Sequence, residues 1–154
     1  MLDREIKYFM SLAQNIEIDF KNALKEQAVL KLSVLRMLKS ALKNEAIAKK
    51  QAELNDEEVV LVLRRELKKR QDSILAFSSA GRNDLADQEK AEAEIINAYL
   101  PALMAETDVA RIVDAVIASG VNGFGLVMKE VMAQTKGQAD GQLVQKLVKA
   151  KLAL

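Results

Sequence analysis

The sequence predicts an all-α protein, and three observations support this class. Half of the 154 residues are apolar, with aromatic residues at only 4 %. One proline and six glycines interrupt the chain, so strong helix formers dominate it. Apolar residues recur every three to four positions, and no strand-like alternation is present. We expect a helical N-terminal domain of about four helices and a small three-helix C-terminal bundle.

The N-terminal domain is predicted over residues 10–100. Its first helix covers residues 11–26 and its second covers residues 29–51, where apolar residues gather on one side. Asn55 and Glu58 form a capping-box pattern that opens a third helix, which ends near Ala80 with Gly81 beyond it. Asn83 or Asp84 is the expected N-cap of a fourth helix that reaches Leu100.

Residues 101–106 follow the fourth helix and contain the only proline, so they are the predicted linker. The C-terminal domain then covers residues 107–154. Its helices are predicted from an N-cap at Thr107 to Gly120, from Phe124 to Gln134, and from an N-cap at Asp140 to the C-terminus. Met10 is an alternative start site, which would make residues 1–9 an extension, predicted to be flexible.

The residue types that are absent restrict the chemistry. The chain has no Cys and no His, which excludes thiolate and Ser–His–Asp catalysis and the commonest transition-metal ligands. An enzyme could still use Lys, Asp, Glu, Tyr or Ser, but we identify no catalytic residue in the sequence and predict no metal and no cofactor. No signal segment or membrane span is visible, so the sequence predicts a cytoplasmic location and no membrane partner.

A basic stripe lies on the second predicted helix. At about 100° per residue, its cations share one arc that contains no acidic residue: Arg36, Lys39, Lys43 and Lys50. Residues 21–50 hold eight basic residues against Glu26 and Glu45. Such a stripe can bind phosphates or can only keep the helix soluble, and the pattern leaves both interpretations open.

The third predicted helix carries a second set of cations. Arg64 and Lys68 share one face at a spacing of four residues. If the second and third helices form an antiparallel hairpin, the two sets can border one groove for an anionic backbone. The alternative is a solvated face that pairs with Glu66 and Asp72.

Arg70 differs from these cations because it projects onto the apolar face of its helix. A charge there needs a partner. For a hairpin folded about Gly81, Arg70 falls level with Glu92, and Glu89 lies one turn away. The sequence therefore predicts a structural ion pair of Arg70 with Glu89 or Glu92.

Two further segments are candidate anion sites. Residues 120–125 are glycine-rich, but they lack the Gly-Lys-Ser/Thr ending of a P-loop and follow no strand, so they indicate helix punctuation. Residues 136–141 place Lys136 beside the N-terminus of the last helix, where backbone N–H groups can bind an anion. The same segment would also serve simply as a turn.

Five short motifs resemble successive motifs of the GatB/YqeY family, in particular its stand-alone YqeY-like proteins. They occur in order at 32–44 (LSVLRMLKSALKN), 69–74 (KRQDSI), 80–86 (AGRNDLA), 99–101 (YLP) and 136–141 (KGQADG). The resemblance implies an all-α protein related to the tail domain of an aminoacyl-tRNA amidotransferase, where the module helps to hold tRNA. Related modules are appended to some glutaminyl-tRNA synthetases.

Three functions follow as hypotheses. The first is a non-catalytic module that binds tRNA or another structured RNA through its basic residues: Arg36, Lys39, Lys43, Arg64, Lys68 and Lys136. The second is an accessory subunit of a carbon–nitrogen ligase with glutamine as amido donor, which would need an amidotransferase or aminoacyl-tRNA synthetase as partner. The third is a protein–protein adaptor that uses the acidic face of residues 83–94.

Overall fold

The computed structural model describes residues 10–154, so the predicted extension at residues 1–9 lies outside the described residues. The described chain is all-helical, with helices α1 (Leu12–Lys25), α2 (Val29–Ala48), α3 (Asp56–Ser79), α4 (Asn83–Asn97), α5 (Glu106–Ala118), α6 (Phe124–Thr135) and α7 (Gly141–Leu152). The predicted fold class is therefore confirmed. The chain divides into two compact units between Leu100 and Pro101.

The first unit contains α1 to α4. Its core consists of large aliphatic side chains from all four helices, including Ile16, Leu35, Leu38, Leu63 and Ile96, each fully buried. Helices α3 and α4 form the most extensive helix pair of this unit. They fold back on each other at Gly81, whose φ of +73° is a conformation that glycine adopts without strain.

The second unit contains α5 to α7, which pack around a core of valines from all three helices. Gly123 precedes α6 with a φ of +92°, so the glycine-rich segment at residues 120–125 separates two helices as predicted. Asp140 caps α7, because its carboxylate accepts hydrogen bonds from the backbone N–H groups of Gln142 and Leu143.

Side chains cap the N-terminal ends of two helices of the first unit. Ser11 caps α1, and Asn55 forms the predicted capping box with Glu58 at the start of α3. Asp56, in the first turn of α3, also accepts a hydrogen bond of 2.8 Å from the backbone N–H of Leu12. These caps satisfy N–H groups that have no partner within the helix.

Two predicted N-caps are wrong. Arg82, and neither Asn83 nor Asp84, precedes α4, and no side chain caps that helix. The Asp84 carboxylate instead pairs with the Arg82 guanidinium at 3.1 Å, which lowers the pKa of Asp84. Helix α5 begins at Glu106, one residue before the predicted cap Thr107, with Ala105 at the N-cap position.

Two helices end earlier than predicted. Helix α4 ends at Asn97, three residues before Leu100. Helix α2 ends at Ala48, and Lys50 lies beyond it with a left-handed φ of +56°. Lys50 therefore does not belong to the stripe that the helical arc predicted. Gln27, Lys136 and Ala153 also adopt positive φ, each just after a helix.

Candidate nucleic-acid interface

In the basic stripe on α2, one cation forms an ion pair with α1 and two form no described ion pair. The Lys39 ammonium lies 2.6 Å from the Glu17 carboxylate and 4.0 Å from the centroid of the Phe20 ring. This contact lowers the pKa of Glu17. Arg36 and Lys43 flank Lys39 on the same face, are exposed, and form no ion pair with any residue that the structure describes.

Most cations of α3 form described ion pairs, two of them within the helix. Lys68 lies 2.7 Å from Asp72 one turn away, and Lys69 lies 2.7 Å from Glu66. Arg65 reaches Glu45 on α2 at 2.6 Å. Arg64 is half-buried. Pairing with Glu66 and Asp72 is thus present, but the Lys68–Asp72 pair is exposed and worth little, so a phosphate can compete for Lys68.

Helices α2 and α3 run antiparallel, as the groove hypothesis requires. Glu45 faces Arg65 and Lys49 lies 2.8 Å from Glu58, so residue numbers fall on one helix as they rise on the other. These contacts place carboxylates in the seam between the two helices. Lys39, in contrast, is directed to α1, and no described contact joins it to Lys68.

The remaining predicted cation, Lys136, belongs to the second unit. It is exposed and has a left-handed φ of +50° at the C-terminal end of α6. The anion site expected beside it is changed by Asp140, whose Oδ1 lies 2.7 Å from the Gln142 nitrogen and 3.3 Å from the Leu143 nitrogen. The carboxylate of Asp140 therefore occupies the place where an external anion would bind.

Sequence reasoning missed the lysines of α7. This helix contains Lys146, Lys149 and Lys151 and no acidic residue, which was a visible signal. Lys151 pairs with Asp114 at 2.8 Å, and Lys149 lies 5.9 Å from the centroid of the Phe124 ring. Lys146 is exposed and has no ion pair among the described residues.

Arg70 lies between two carboxylates of α4. Its Nη1 is 3.4 Å from Glu89 and its Nε is 3.3 Å from Glu92. The three side chains are only 16–19 % exposed. The other terminal nitrogen of Arg70 contacts the Met37 sulfur on α2. The structure therefore brings together Arg70, Glu89 and Glu92 in a half-buried cluster that joins three helices.

A second buried polar contact was also missed. The Tyr99 hydroxyl donates a hydrogen bond of 2.6 Å to Asp19, which is 8 % exposed. Burial and the adjacent carboxylate raise the pKa of Tyr99 far above its usual range. The signal in the sequence was Asp19 itself, a charged residue on the same face of α1 as the buried Ile16 and Ala23.

Neither a metal site nor a membrane-spanning helix is found in residues 10–154. No group of three or more acidic residues is placed so that it could hold a metal ion. None of the seven helices in this range combines the length and the apolar character needed to span a bilayer.

Comparison with known proteins places these observations in a family. The family described as Yqey-like protein matches residues 13–152. Over 85 residues the chain is 32 % identical to a glutamyl-tRNA(Gln) amidotransferase subunit of Thermococcus gammatolerans, in an alignment that covers 50 % of this chain and 14 % of the relative.

Two fungal relatives share the name altered inheritance of mitochondria protein 41, mitochondrial. The Candida glabrata protein is 31 % identical over 105 residues, covering 65 % of this chain and 58 % of the relative. The Pyrenophora tritici-repentis protein is 24 % identical over 139 residues, covering 86 % of this chain and 76 % of the relative. Since the family match extends over nearly the whole chain, the protein belongs to the YqeY-like family.

Proposed function

We propose that this protein is a non-catalytic module that binds tRNA or another structured RNA through the exposed face of α2. The observation that carries this proposal is the pair Arg36 and Lys43, two exposed cations without an ion pair in the described chain. Seven residues of helix separate them by about 10 Å, so each can neutralise a different phosphate.

Three features add to this surface. Lys39 lies between the two open cations, and its pair with Glu17 is partly exposed and therefore exchangeable. Lys68 and Arg64 on α3 and Lys136 in the second unit are further candidate contacts. The chain offers few aromatic residues for base stacking, so we expect contacts to phosphates that position the RNA and read its shape.

The name of one relative, a glutamyl-tRNA(Gln) amidotransferase subunit, supports tRNA as the ligand. The chain corresponds to 14 % of that relative. A second candidate function is an accessory role in a carbon–nitrogen ligase that uses glutamine as amido donor, with an amidotransferase or aminoacyl-tRNA synthetase as partner. The word amidotransferase in the same name supports it. Glutamine-dependent amidation in a reconstituted pair would distinguish this function from RNA binding alone.

The adaptor hypothesis has less support. Four carboxylates of its acidic face already form described ion pairs within the chain: Asp84 with Arg82, Asp87 with Lys90, and Glu89 and Glu92 with Arg70. Only Glu94 of this set forms no described ion pair.

A cytoplasmic location stays a prediction, and fractionation of cells that express the tagged chain tests it.

The RNA proposal is tested by fluorescence anisotropy with labelled tRNA. We expect binding at ~50 mM salt and a log–log salt slope of roughly 0.7–0.9 for each phosphate neutralised. The variant Arg36→Glu/Lys43→Glu should weaken binding at least about tenfold and should reduce the salt slope. Lys39 is left unchanged because Lys39→Glu would place two carboxylates together at Glu17 and disturb the packing of α1 on α2.

The matched control is Arg111→Glu/Lys129→Glu, which makes the same change of charge at exposed positions in the second unit. It should bind tRNA nearly as well as the unmodified protein. Equal losses in both double variants would reject α2 as the binding face, and no binding of tRNA at ~50 mM salt would reject the RNA function.

A further inference from the structure

An aromatic ring of α1 lies beside the cations of α2. Phe20 is half-buried and packs against the core of the first unit. The Lys39 ammonium lies 4.0 Å from the centroid of this ring, so it covers a ring face that the core leaves open. A flat group that took the place of the ammonium would therefore contact the same face of the ring.

A carboxylate lies next to this ring. Glu17 precedes Phe20 by three residues, which places both side chains on one face of α1. The same Lys39 ammonium that contacts the ring lies 2.6 Å from the Glu17 carboxylate, and Lys21 lies 3.8 Å from it. The pKa of Glu17 is lowered, mainly by the hydrogen bond from Lys39. Glu17 is therefore an ionised hydrogen-bond acceptor at neutral pH.

A second cation of α2 lies level with the ring. Helices α1 and α2 pack antiparallel, because Glu17 lies eleven residues before Ala28 and its partner Lys39 lies eleven residues after it. The same register places Arg36 level with Phe20. Arg36 is exposed and forms no described ion pair. An RNA strand that passes along this face can thus contact two cations while one of its bases lies over the ring.

We propose that Glu17, Phe20 and Lys39 form a subsite for one unpaired nucleotide of the bound RNA, with guanosine as the preferred nucleotide. A phosphate forms an ion pair with Lys39, which leaves Glu17, and the base stacks on the ring face that becomes free. The Glu17 carboxylate then accepts hydrogen bonds from the Watson–Crick edge of the base. Guanine presents its N1–H and N2 amino donors side by side there, which matches the two oxygens of one carboxylate.

The exchange at Lys39 leaves no charge without a partner. The side chains of Lys39 and Glu17 are 35 % and 41 % exposed, and an ion pair in such a position contributes little to stability. After the exchange Lys39 pairs with a phosphate, while Glu17 keeps Lys21 and gains the donors of the base. Phe20 gains a stacked base, which is a favourable contact in RNA binding. This inference rests on the proposed RNA-binding function and adds the reading of one base to it.

The test uses the full chain and four fluorescein-labelled RNAs that share one stem. One RNA is fully paired, and the others carry a single bulged guanosine, inosine or uridine. Fluorescence anisotropy at ~50 mM salt measures binding. The bulged guanosine should bind about tenfold more tightly than the paired RNA because of the stacked base. It should also bind severalfold more tightly than inosine, which lacks only the N2 amino group, and uridine should be the weakest of the three bulges.

The outcomes separate this inference from the RNA function on which it rests. Equal binding of all four RNAs would overturn the subsite and leave RNA binding by α2 in place. Equal binding of the guanosine and inosine bulges would overturn the role of Glu17 and hence the preference for guanosine. Absence of binding to all four RNAs would overturn both proposals.

Two variants assign the effects to side chains. Phe20→Leu should remove the advantage of the bulged guanosine over the paired RNA, because leucine offers no flat ring for stacking. Glu17→Gln should bring the ratio of guanosine to inosine affinity close to one. The loss of a negative charge in Glu17→Gln can strengthen the binding of every RNA, but it cannot change this ratio.

Phe77→Leu and Glu53→Gln are the matched controls, since they make the same changes in the first unit away from α1 and α2. Both should leave the two affinity ratios unchanged. If Phe20→Leu does not fold, the ratio of guanosine to inosine affinity in the unmodified protein and in Glu17→Gln decides the question. The proposal is wrong if Glu53→Gln lowers this ratio as much as Glu17→Gln, or if folded Phe20→Leu keeps the full advantage of the bulged guanosine.

Discussion

The two units of this chain stabilise similar helices by different means. The first unit buries Asp19 and Glu66 and holds Arg70 between two carboxylates at 16–19 % exposure. In the second unit, the buried apolar side chains are seven valines and Ala139, and Thr135 is the only buried polar residue described there. The first unit thus combines an apolar core with buried or half-buried charges at fixed positions, while the buried interior of the second unit is almost wholly apolar.

This difference has a physical consequence for substitution. A valine core loses free energy in proportion to the volume removed. A buried charge loses far more when its partner disappears, because the remaining charge stays desolvated. The contrast between the units can therefore be tested by removing one group from each.

The largest effect is expected for Arg70→Ala. This change leaves Glu89 and Glu92 together in a half-buried site, so the free energy of unfolding should fall by about 3 kcal/mol. Chemical denaturation measures the loss. Arg82→Ala is the control, since the exposed Arg82–Asp84 pair should contribute less than about 1 kcal/mol. Equal losses for Arg70→Ala and Arg82→Ala would show that the cluster has no special energetic role.

A smaller effect is expected for Val131→Ala in the second unit. Val131 is fully buried, and the loss of two methyl groups with the resulting cavity should cost about 2 kcal/mol. Val29→Ala is the matched control, because Val29 is 79 % exposed and should lose almost nothing. Hydrogen exchange resolved by residue should place the weakened amides in α5 to α7. Loss of amide protection mainly in the first unit would contradict the assumption that each unit is stabilised by its own core.

The smallest effect concerns acid stability. Glu17, Glu58 and Asp84 have lowered pKa values, owing mainly to hydrogen bonds from Lys39, Lys49 and Arg82 respectively, and all three belong to the first unit. A carboxyl group whose pKa is lower in the folded than in the unfolded protein stabilises the fold at pH values above its unfolded pKa. This contribution disappears as the pH falls through the folded pKa.

Hydrogen exchange between pH 6 and pH 3 should therefore show a modest loss of stability in α1 to α4, with less change in α5 to α7. Glu17→Gln should reduce the pH dependence of the first unit, because the glutamine does not titrate. Arg111→Gln in the second unit serves as a control for the removal of an exposed ion pair. A steeper acid dependence in the second unit would contradict this account.

Periodicity predicted the number and order of the described helices because it is a local property, although two N-caps and two helix ends were wrong. The capping box at Asn55 and the turn at Gly81 follow from neighbouring residues alone. The position of Arg70 beside Glu89 and Glu92 was also accessible, since a hairpin with a known turn fixes the register of its two helices.

The interface was less accessible because side-chain pairing depends on distant residues. Glu17 on α1 forms an ion pair with Lys39 on α2, and Glu45 on α2 forms one with Arg65 on α3. The arc on α2 contained no acidic residue, yet an acidic residue on α1 reaches it. The Asp19–Tyr99 hydrogen bond joins residues 80 positions apart, so no local pattern could predict that contact.

Four helices end on residues with side chains in a conformation that usually favours glycine: Gln27, Lys50, Lys136 and Ala153. Each such residue costs about 1 kcal/mol or more relative to an unstrained backbone. Lys50 and Lys136 follow the C-terminal ends of α2 and α6, where the helix dipole favours a positive charge, which offsets part of this cost. Gln27 has no such compensation. The substitution Gln27→Gly, in the turn between α1 and α2, should therefore raise the melting temperature. It alters no cation of the proposed interface.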